Sequence, residues 1–262
     1  MYNHDHTHRA YHDHEISRPT RLKKRLQGIY EMVPKSTRLA DIGTDHAYLP
    51  AALIEGGKAE TVIATDLRSA PLKGAKDYLQ SRSLLQKVEL RQGDGLTVLD
   101  PGEVEGIIIS GLGGGTMVNM LKAGSKVLAT LRFVVLAPHN ETYAIRSFFL
   151  RTNMALIDET LIEDDGRFYP ILLFMPGDAL EAYRLQKYSL YEALYLGPFL
   201  LSRRGPSMER YVQKEYEHTV RIREQIEQKS ASSDQKAQLG VFMRQEKLLK
   251  RIIRARNTFF NA

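Results

Sequence analysis

Short apolar runs alternate with helical stretches through the middle of the chain. Five of these runs end in Gly, Asp or Pro and are predicted to be strands: RLADIG, TVIATD, KVELRQGDG, GIIISG and RFVVLAP. Apolar residues at helical spacing predict helices between them, over residues 48–55, 70–81, 117–121 and 142–151. Nearly continuous Ile and Val strands with intervening helices indicate a parallel sheet that helices cover on both faces.

Two longer runs follow these strands and predict a hairpin. ALIDETLIEDDG and FYPILLFMPG are joined by a tight EDDGR turn, so the two strands should pair antiparallel at one edge of the sheet. The predicted fold is therefore α/β, with a doubly wound and mostly parallel sheet that occupies residues 18–177.

Helical patterns flank the predicted sheet on both sides. Over residues 21–33, apolar side chains recur at helical spacing with basic side chains on the opposite face, and Pro34 ends the segment. After Gly177 the pattern predicts one helix over residues 180–196 and then two apolar stripes, beginning at Met208 and Leu239 and separated by the polar segment SASSD. Such stripes are typical of an antiparallel, coiled-coil-like hairpin, so residues 178–262 are expected to form a helical domain.

The composition excludes several classes of protein. The absence of cysteine rules out disulfides, thiolate metal sites and a cysteine nucleophile. Residues 1–17 carry five of the eight histidines and few apolar residues, which predicts a disordered tail without a functional metal site. The chain has no apolar run near the ~18 residues that span a bilayer, and its N-terminus has no apolar signal core. A cytoplasmic location is expected, with no membrane contact and no obligatory protein partner.

The net charge of +6 is distributed unevenly along the chain. Residues 18–38 carry a net charge of +6 and residues 179–262 carry +7, whereas residues 39–178 carry −5. Basic flanks around an acidic middle are expected if a polyanion such as RNA lies across the flanks while the middle holds another ligand.

The chemistry is expected at the carboxyl ends of the strands, where doubly wound sheets bind their ligands. These ends read DIGTDH at 41–46, TDL at 65–67, GDG at 93–95, SGLGG at 110–114 and APH at 137–139. The first end lacks GxGxxG and no GxxxxGK[ST] occurs, so a dinucleotide or triphosphate is disfavoured.

S-adenosylmethionine, which carries no phosphate, fits these strand ends better. Asp41 can accept from the methionine ammonium, and Gly43 keeps the backbone clear of the ligand. Asp66 can receive both ribose hydroxyls at the end of the second strand, and Asp94 can accept from the adenine amino group. Three acidic strand ends in register therefore predict a cationic cofactor.

Several stretches resemble the bacterial tRNA (adenine22-N1)-methyltransferase family. They are DIGTDHAYLP at 41–50, GDGL at 93–96, SGLGG at 110–114, AIRSFF at 144–149, EDDGRFYPIL at 163–172 and LGPFLL at 196–201. The resemblance implies a Rossmann-like methyltransferase domain followed by a helical, coiled-coil-like domain. It also implies cofactor contacts at the following positions: Asp41, Gly43, Asp45, His46, Tyr48, Asp66, Leu67, Asp94, Gly95, Ser110, Gly111 and Gly113.

The resemblance further implies the reaction and its substrate. Adenine N1 has its own lone pair, so attack on the sulfonium methyl can be direct, and catalysis consists largely of alignment and exclusion of water. The candidate catalytic residues are Asp45, His46, Tyr48 and His139. The candidate contacts to tRNA phosphates are Arg21, Lys23, Lys24 and Arg25, together with the basic face of the C-terminal hairpin.

Three alternatives remain open at this point. Pro138-His139 departs from the Gln-Pro-Asn that relatives tend to carry, so another RNA or a small nucleophile could be the methyl acceptor. Asp66 would also suit the ribose of an NAD-dependent oxidoreductase, although GxGxxG is missing. The third alternative is an RNA-binding module without catalysis.

Overall fold

The computed structural model describes residues 19–184, 187–203, 205–228 and 233–257, so the predicted tail over 1–17 lies outside the described residues. The strands are β1 (Ser36–Ile42), β2 (Ala59–Asp66), β3 (Val88–Gln92), β4 (Gly106–Ser110), β5 (Phe133–Ala137), β6 (Met154–Asp164) and β7 (Arg167–Pro176). They form one sheet in the order β3-β2-β1-β4-β5-β7-β6. The first five strands pair in parallel, and β7 pairs antiparallel with β5 and β6. This confirms the predicted doubly wound sheet with an antiparallel edge hairpin.

Two apolar cores lie on opposite faces of the sheet because successive strand residues point in opposite directions. Ile107 and Ile109 of β4 belong to one core, and Ile108 between them belongs to the other. The helices α1 (Lys24–Met32), α2 (Tyr48–Glu55) and α3 (Ser69–Ser81) cover the Ile108 face. The opposite face is covered by α4 (Gly114–Ala123), α5 (Ser125–Leu128) and α6 (Thr142–Phe149).

The C-terminal region is helical, as predicted. Its helices are α7 (Glu181–Arg184), α8 (Leu190–Leu196), α9 (Pro198–Ser202), α10 (Pro206–Glu227) and α11 (Ser233–Asn257). Met208 and Val212 near the start of α10 share an apolar cluster with Leu248 and Ile252 near the end of α11. The two long helices therefore run antiparallel, as a hairpin requires. Within the described segments, none of the helices has the length and apolarity needed to cross a bilayer.

The prediction of one continuous helix over residues 180–196 is wrong. The structure has two short helices there, α7 and α8, and the second begins at Leu190 with Ser189 as its N-cap. The Ser189 side chain accepts from the amide of Glu192, and the Glu192 carboxylate accepts from the amide of Ser189 at 2.8 Å. This capping box satisfies backbone N–H groups that a continuous helix would have bonded internally.

A buried ion pair joins the sheet to the C-terminal helices. The side chains of Arg146 on α6 and Glu159 on β6 are 1% and 0% exposed, and their closest N–O distance is 2.8 Å. Arg146 also donates to the carbonyl of Leu194, and Glu159 accepts from the amide of Phe199. Removal of either charge would leave the other buried and uncompensated, so this pair holds α8 and α9 in place.

Candidate active site

The parallel strands bring their carboxyl ends together at one edge of the sheet. Asp41 on β1 lies in register with Ala64 on β2 and with Ile108 on β4. The strand order reverses between β1 and β4, which is the switch point where such sheets bind ligands. A cavity of about 400 Å³ opens there, and its lining consists of Arg25, Leu26, Asp41, Gly43, Thr44, Asp45, Tyr48, Leu49, Asp66, Arg68, Pro71, Ser110, Gly111, Leu112 and His139.

The turn after β1 buries one carboxylate in this cavity. Gly43 has a φ of +78°, and its amide and that of Thr44 both donate to the carbonyl of Thr65 on β2. The turn therefore folds back over Asp41, which is only 5% exposed. Burial raises the pKa of Asp41 to about 6, and the Thr44 side chain partly opposes this shift. A buried carboxylate of this kind is stabilised as an anion by a cationic ligand.

Two consecutive left-handed residues follow this turn. His46 and Ala47 have φ values of 55° and 53°, a left-handed conformation that costs free energy in residues other than glycine. Asp45, which precedes them, lines the cavity with a side chain that is 88% exposed. The His46 imidazole lies outside the cavity lining and covers Gly74 of α3, where a Cβ would stand 2.7 Å from Nδ1.

Tyr48 begins α2 and forms part of the cavity wall. Its ring meets the edge of Tyr78, with centroids 4.7 Å apart, and lies 5.8 Å from the His46 ring. Tyr78 in turn shares a 2.9 Å hydrogen bond with the hydroxyl of Thr20. The Tyr48 ring is therefore supported from behind, while 40% of the residue stays exposed to a ligand.

The end of β2 supplies the second carboxylate. Asp66 Oδ1 accepts from the amide of Arg68 at 2.8 Å and lies 3.6 Å from the Arg68 Nε. Both contacts use Oδ1, so Oδ2 is the oxygen that could accept ribose hydroxyls. Leu67 follows with 64% exposure, and its carbonyl accepts from Gln92 on the neighbouring strand.

Three predicted cofactor residues near this end lie outside the cavity lining. Leu67 and Asp94 are exposed and follow β2 and β3, whose last residues, Asp66 and Gln92, pair in register. Gly95 is buried with a φ of +55°, and a Cβ there would come within 3.1 Å of Met120. Gly95 therefore has a packing role in the short 3₁₀ helix that follows β3, whether or not its backbone also faces a ligand.

The glycine-rich loop after β4 divides into two parts. Ser110 and Gly111 line the cavity, whereas Gly113 faces the side chain of Asn140. A Cβ on Gly114 would lie 2.5 Å from the carbonyl of Glu141, so only glycine allows the loop after β5 to approach this closely. Part of the glycine signal read as cofactor binding therefore reflects packing between two loops.

Sequence reasoning missed the role of Glu141. This residue has a φ of 55°, and its carboxylate accepts from the amide of Gly115 at 3.0 Å in the first turn of α4. An acidic group at a helix N-terminus stabilises the unpaired amides there. The run GLGGG, which begins a helix without a capping side chain of its own, is the signal that could have indicated such a partner.

Helix α1 brings one basic residue into the cavity. The guanidinium of Arg25 lies 5.4 Å from the ring centroid of Tyr169 on β7, and the His139 ring lies 6.1 Å from that same centroid. Lys24 instead donates to the carbonyl of Glu163 on the edge hairpin, while Arg21 and Lys23 are exposed. The four basic residues predicted as one phosphate-binding group thus have three different environments. Tyr169 was not singled out from the sequence.

Helix α1 is held in place at its C-terminal end by Lys58. The Lys58 ammonium donates to the carbonyls of Tyr30, Glu31 and Val33, at 2.7, 3.0 and 2.7 Å. The last carbonyls of a helix lack amide donors from a following turn, although that of Tyr30 also accepts from the Val33 amide, and a cation there complements the helix dipole. Burial lowers the pKa of Lys58. The position of Arg25 therefore depends partly on a contact at the opposite end of its helix.

The predicted residues converge on the cavity only in part. Of the candidate catalytic residues, the cavity is lined by Asp45, Tyr48 and His139 but not by His46. Of the candidate cofactor residues, it is lined by Asp41, Gly43, Asp45, Tyr48, Asp66, Ser110 and Gly111 but not by His46, Leu67, Asp94, Gly95 or Gly113. In the described part of the chain, no group of three His, Asp or Glu residues is arranged to hold a metal ion.

Comparisons with known proteins agree with this geometry. A family described as a methyltransferase domain matches residues 22–172. The tRNA (adenine(22)-N(1))-methyltransferase of Bacillus subtilis (strain 168) is 35% identical over 233 residues, which cover 89% of this chain and 97% of that protein. The crystal structure of the B. subtilis M1A22 tRNA methyltransferase TrmK superposes with a TM-score of 0.81 at 34% identity and covers 89% of this chain and 99% of that one.

A crystal structure of Streptococcus pneumoniae Sp1610 in complex with S-adenosyl-L-methionine is also similar. It has a TM-score of 0.76 at 26% identity and covers 89% of this chain and 100% of that one. The shares covered show that the similarity extends beyond the sheet into the C-terminal helices.

Proposed function

Since the chain belongs to the tRNA (adenine(22)-N(1))-methyltransferase family, we propose that it transfers the methyl group of S-adenosylmethionine to N1 of adenine 22 in tRNA. The observation that carries this proposal is the acidic cavity at the switch point of the sheet, with buried Asp41 and Asp66 at neighbouring strand ends. Family membership favours methyl transfer over the hydride-transfer and RNA-binding alternatives. A tRNA substrate also implies a cytoplasmic location, which forms part of the proposal.

The residues around the cavity fit S-adenosylmethionine by charge. Asp41 would accept from the methionine ammonium, because a cation recovers the energy lost when this carboxylate is buried. Asp66 would accept from the ribose hydroxyls through Oδ2. Leu67 and Asp94, which are exposed after the neighbouring ends of β2 and β3, would contact the adenine ring and its amino group. When bound, the cofactor supplies an electrophilic methyl group.

Little proton chemistry is required of the protein. The lone pair of adenine N1 attacks the methyl carbon while the carbon–sulfur bond breaks, so no strong general base is needed. The chain's task is to hold the base in line with the methyl group and to exclude water. Tyr48 has a supported and half-exposed ring on which a base can stack, and Asp45 and His139 can bind the edge of the base. His46 is then a positioning residue for the 45–48 turn.

The basic flanks are proposed to bind the tRNA body. Arg21 and Lys23 are exposed just before the start of α1, and the C-terminal hairpin carries a net positive charge. The division into a tail (1–17), a methyltransferase domain (18–177) and a helical domain (178–262) belongs to this proposal. Binding through phosphates predicts an affinity that falls steeply with salt.

A methyl-transfer assay with radiolabelled S-adenosylmethionine tests the proposal. We expect incorporation into a tRNA transcript with adenine at position 22 and none when that base is guanine. Asp66→Asn should reduce transfer strongly, whereas the matched control Asp100→Asn, at an exposed carboxylate outside the cavity lining, should not. The proposal is refuted if no methyl group is incorporated or if the guanine-22 transcript is methylated equally well.

A further inference from the structure

One nitrogen of Arg25 is buried in the cavity without a hydrogen-bond partner. Nη1 is inaccessible to solvent, and no acceptor lies within hydrogen-bonding distance among the described residues. A buried N–H group without an acceptor costs free energy, and more so when the group is charged. Such a group usually meets its acceptor in a ligand or an ordered water.

The surroundings of this guanidinium aim it at the end of β4. A Cβ built on Gly111 would lie 3.5 Å from Arg25 Nη1 and 3.8 Å from His139 Nε2. The Tyr169 ring packs against both side chains, at 5.4 Å from the Arg25 guanidinium carbon and 6.1 Å from the His139 ring. Two side-chain nitrogens therefore face the same stretch of backbone, and the absence of a side chain on Gly111 leaves room between them.

The three carboxylates of the cavity form no ion pair with Arg25. Asp66 is paired with Arg68 and Asp45 lies 3.5 Å from His46, and in the described part of the chain no ion pair joins Arg25 to either of them or to Asp41. The guanidinium is also held before any ligand binds, because Tyr169 supports its face and Lys58 holds the end of its helix. A planar cation fixed in this way matches the oxygens of a carboxylate or a phosphate.

We infer that Arg25 forms an oxyanion-binding subsite inside the active site, distinct from the surface contacts to tRNA. This inference rests on the proposed function and deepens it. Two groups of the reacting complex carry the required chemistry, the carboxylate of the cofactor's methionine and the phosphate of the target nucleotide. Arg25 fixes one of them near Gly111 and so aligns the methyl donor with its acceptor.

The inference is tested by removing the methionine carboxylate or the target-nucleotide phosphate from the ligand, one at a time, and comparing the wild type with variants of Arg25. Arg25→Met keeps the side-chain stem on Tyr169, and Arg25→Lys keeps the charge without the planar fork. Arg132→Ala is the matched control, because this arginine is exposed and paired with Glu105 at the amino ends of β4 and β5, away from the cavity lining. Circular dichroism and thermal melting establish that each variant is folded.

The first arm measures by calorimetry the binding of S-adenosylmethionine and of decarboxylated S-adenosylmethionine. The second arm measures kcat/KM on tRNA that carries either a normal phosphate or an uncharged methylphosphonate at the target nucleotide. In one arm, loss of the anion should lower the measured quantity, the cofactor affinity or kcat/KM, by roughly 10- to 100-fold in the wild type and in Arg132→Ala. The same loss should leave that quantity almost unchanged in Arg25→Met. That arm identifies the bound group.

The inference is overturned if removal of the anion has the same effect in the wild type and in Arg25→Met in both arms, or no effect on the wild type in either. A wild type that binds cofactor but methylates no tRNA would instead refute the proposed function. The calorimetric arm would still test whether Arg25 binds the carboxylate.

Discussion

Replacement of Asp41 by asparagine should stabilise the cofactor-free protein and at the same time abolish cofactor binding. Asp41 is buried, and burial raises the pKa of its carboxyl group to about 6 from an ordinary value of 3.8. Near neutral pH the folded protein must therefore keep a charge in a poorly solvated position. Asparagine has nearly the same shape without the charge, so it removes this penalty and also removes the anion that we propose binds the methionine ammonium.

The size of the effect follows from the two pKa values. The difference between 3.8 and about 6 corresponds to roughly 3 kcal/mol of native-state destabilisation at pH 7, which is an upper limit for the gain in Asp41→Asn. The sign is set by proton binding. Because the folded state has the higher pKa, it holds the proton more tightly, so this destabilisation is absent below pH 3.8 and develops as the pH rises to about 6.

Urea unfolding of the wild type and Asp41→Asn, without cofactor, measures this effect between pH 4 and pH 8. Other carboxylates also change the stability over this range, so the informative quantity is the difference between the two proteins at each pH. That difference should be small at pH 4 and should reach its maximum above pH 6. Asp45→Asn is the matched control, because its carboxylate is exposed and its removal should leave the stability nearly unchanged.

Calorimetric titration with S-adenosylmethionine provides the functional half of the test. In the wild type the affinity should fall about tenfold per pH unit below pH 6, because protonation of Asp41 removes the acceptor. Asp41→Asn should bind weakly at every pH. The reasoning is refuted if Asp41→Asn is less stable than the wild type at pH 7, or if the stability difference does not depend on pH.

Three further substitutions test other contacts. Arg146→Met should lower the free energy of unfolding in urea by about 3–5 kcal/mol, because Glu159 is left buried and unpaired. Substitution of both residues by apolar ones should recover much of that loss. Equal losses in the single and double variants would contradict this. Lys58→Met should lower the free energy of unfolding by about 1–2 kcal/mol and should also lower kcat/KM, since α1 carries Arg25. An unchanged kcat/KM would show that α1 stays in place without the Lys58 ammonium. Gly74→Ala should favour the helical state of α3 by about 1 kcal/mol, because alanine has the higher helix propensity. The same substitution should reduce kcat, because the new Cβ displaces the His46 imidazole. Unchanged kinetics would exclude a positioning role for His46.

The main elements of the sheet could be predicted from the sequence because they depend on local patterns. Runs such as GIIISG are almost continuously apolar, as expected of strands buried on both faces, and turn residues end each run. Strand identity and parallel pairing therefore follow from these runs and from the helices between them. The carboxyl ends of parallel strands lie on the same side of the sheet, which is why the sequence predicts that Asp41 and Asp66 belong to one site.

Prediction from the sequence failed at two places. Over residues 180–196 the apolar spacing fits one helix, but the local capping-box sequence Ser189-x-x-Glu192 starts a second one through reciprocal hydrogen bonds, and apolar spacing does not register that signal. The glycine-rich sequence after β4 predicts cofactor contacts at Ser110, Gly111 and Gly113, but Gly113 faces Asn140 and the next glycine, Gly114, is required by the close approach of the loop after β5. Neither contact leaves a periodic signal in the sequence.

The sequence by itself thus determined the order of elements, the edge of the sheet that carries the chemistry and the acidic character of the site. Only the tertiary structure decided which strand-end residues line one cavity and which basic residue enters it. Arg25 and Lys24 are neighbours in the chain, yet one lies over Tyr169 inside the cavity and the other donates to Glu163 outside it. Adjacent helix residues point about 100° apart, so their roles depend on how the helix is docked against the sheet.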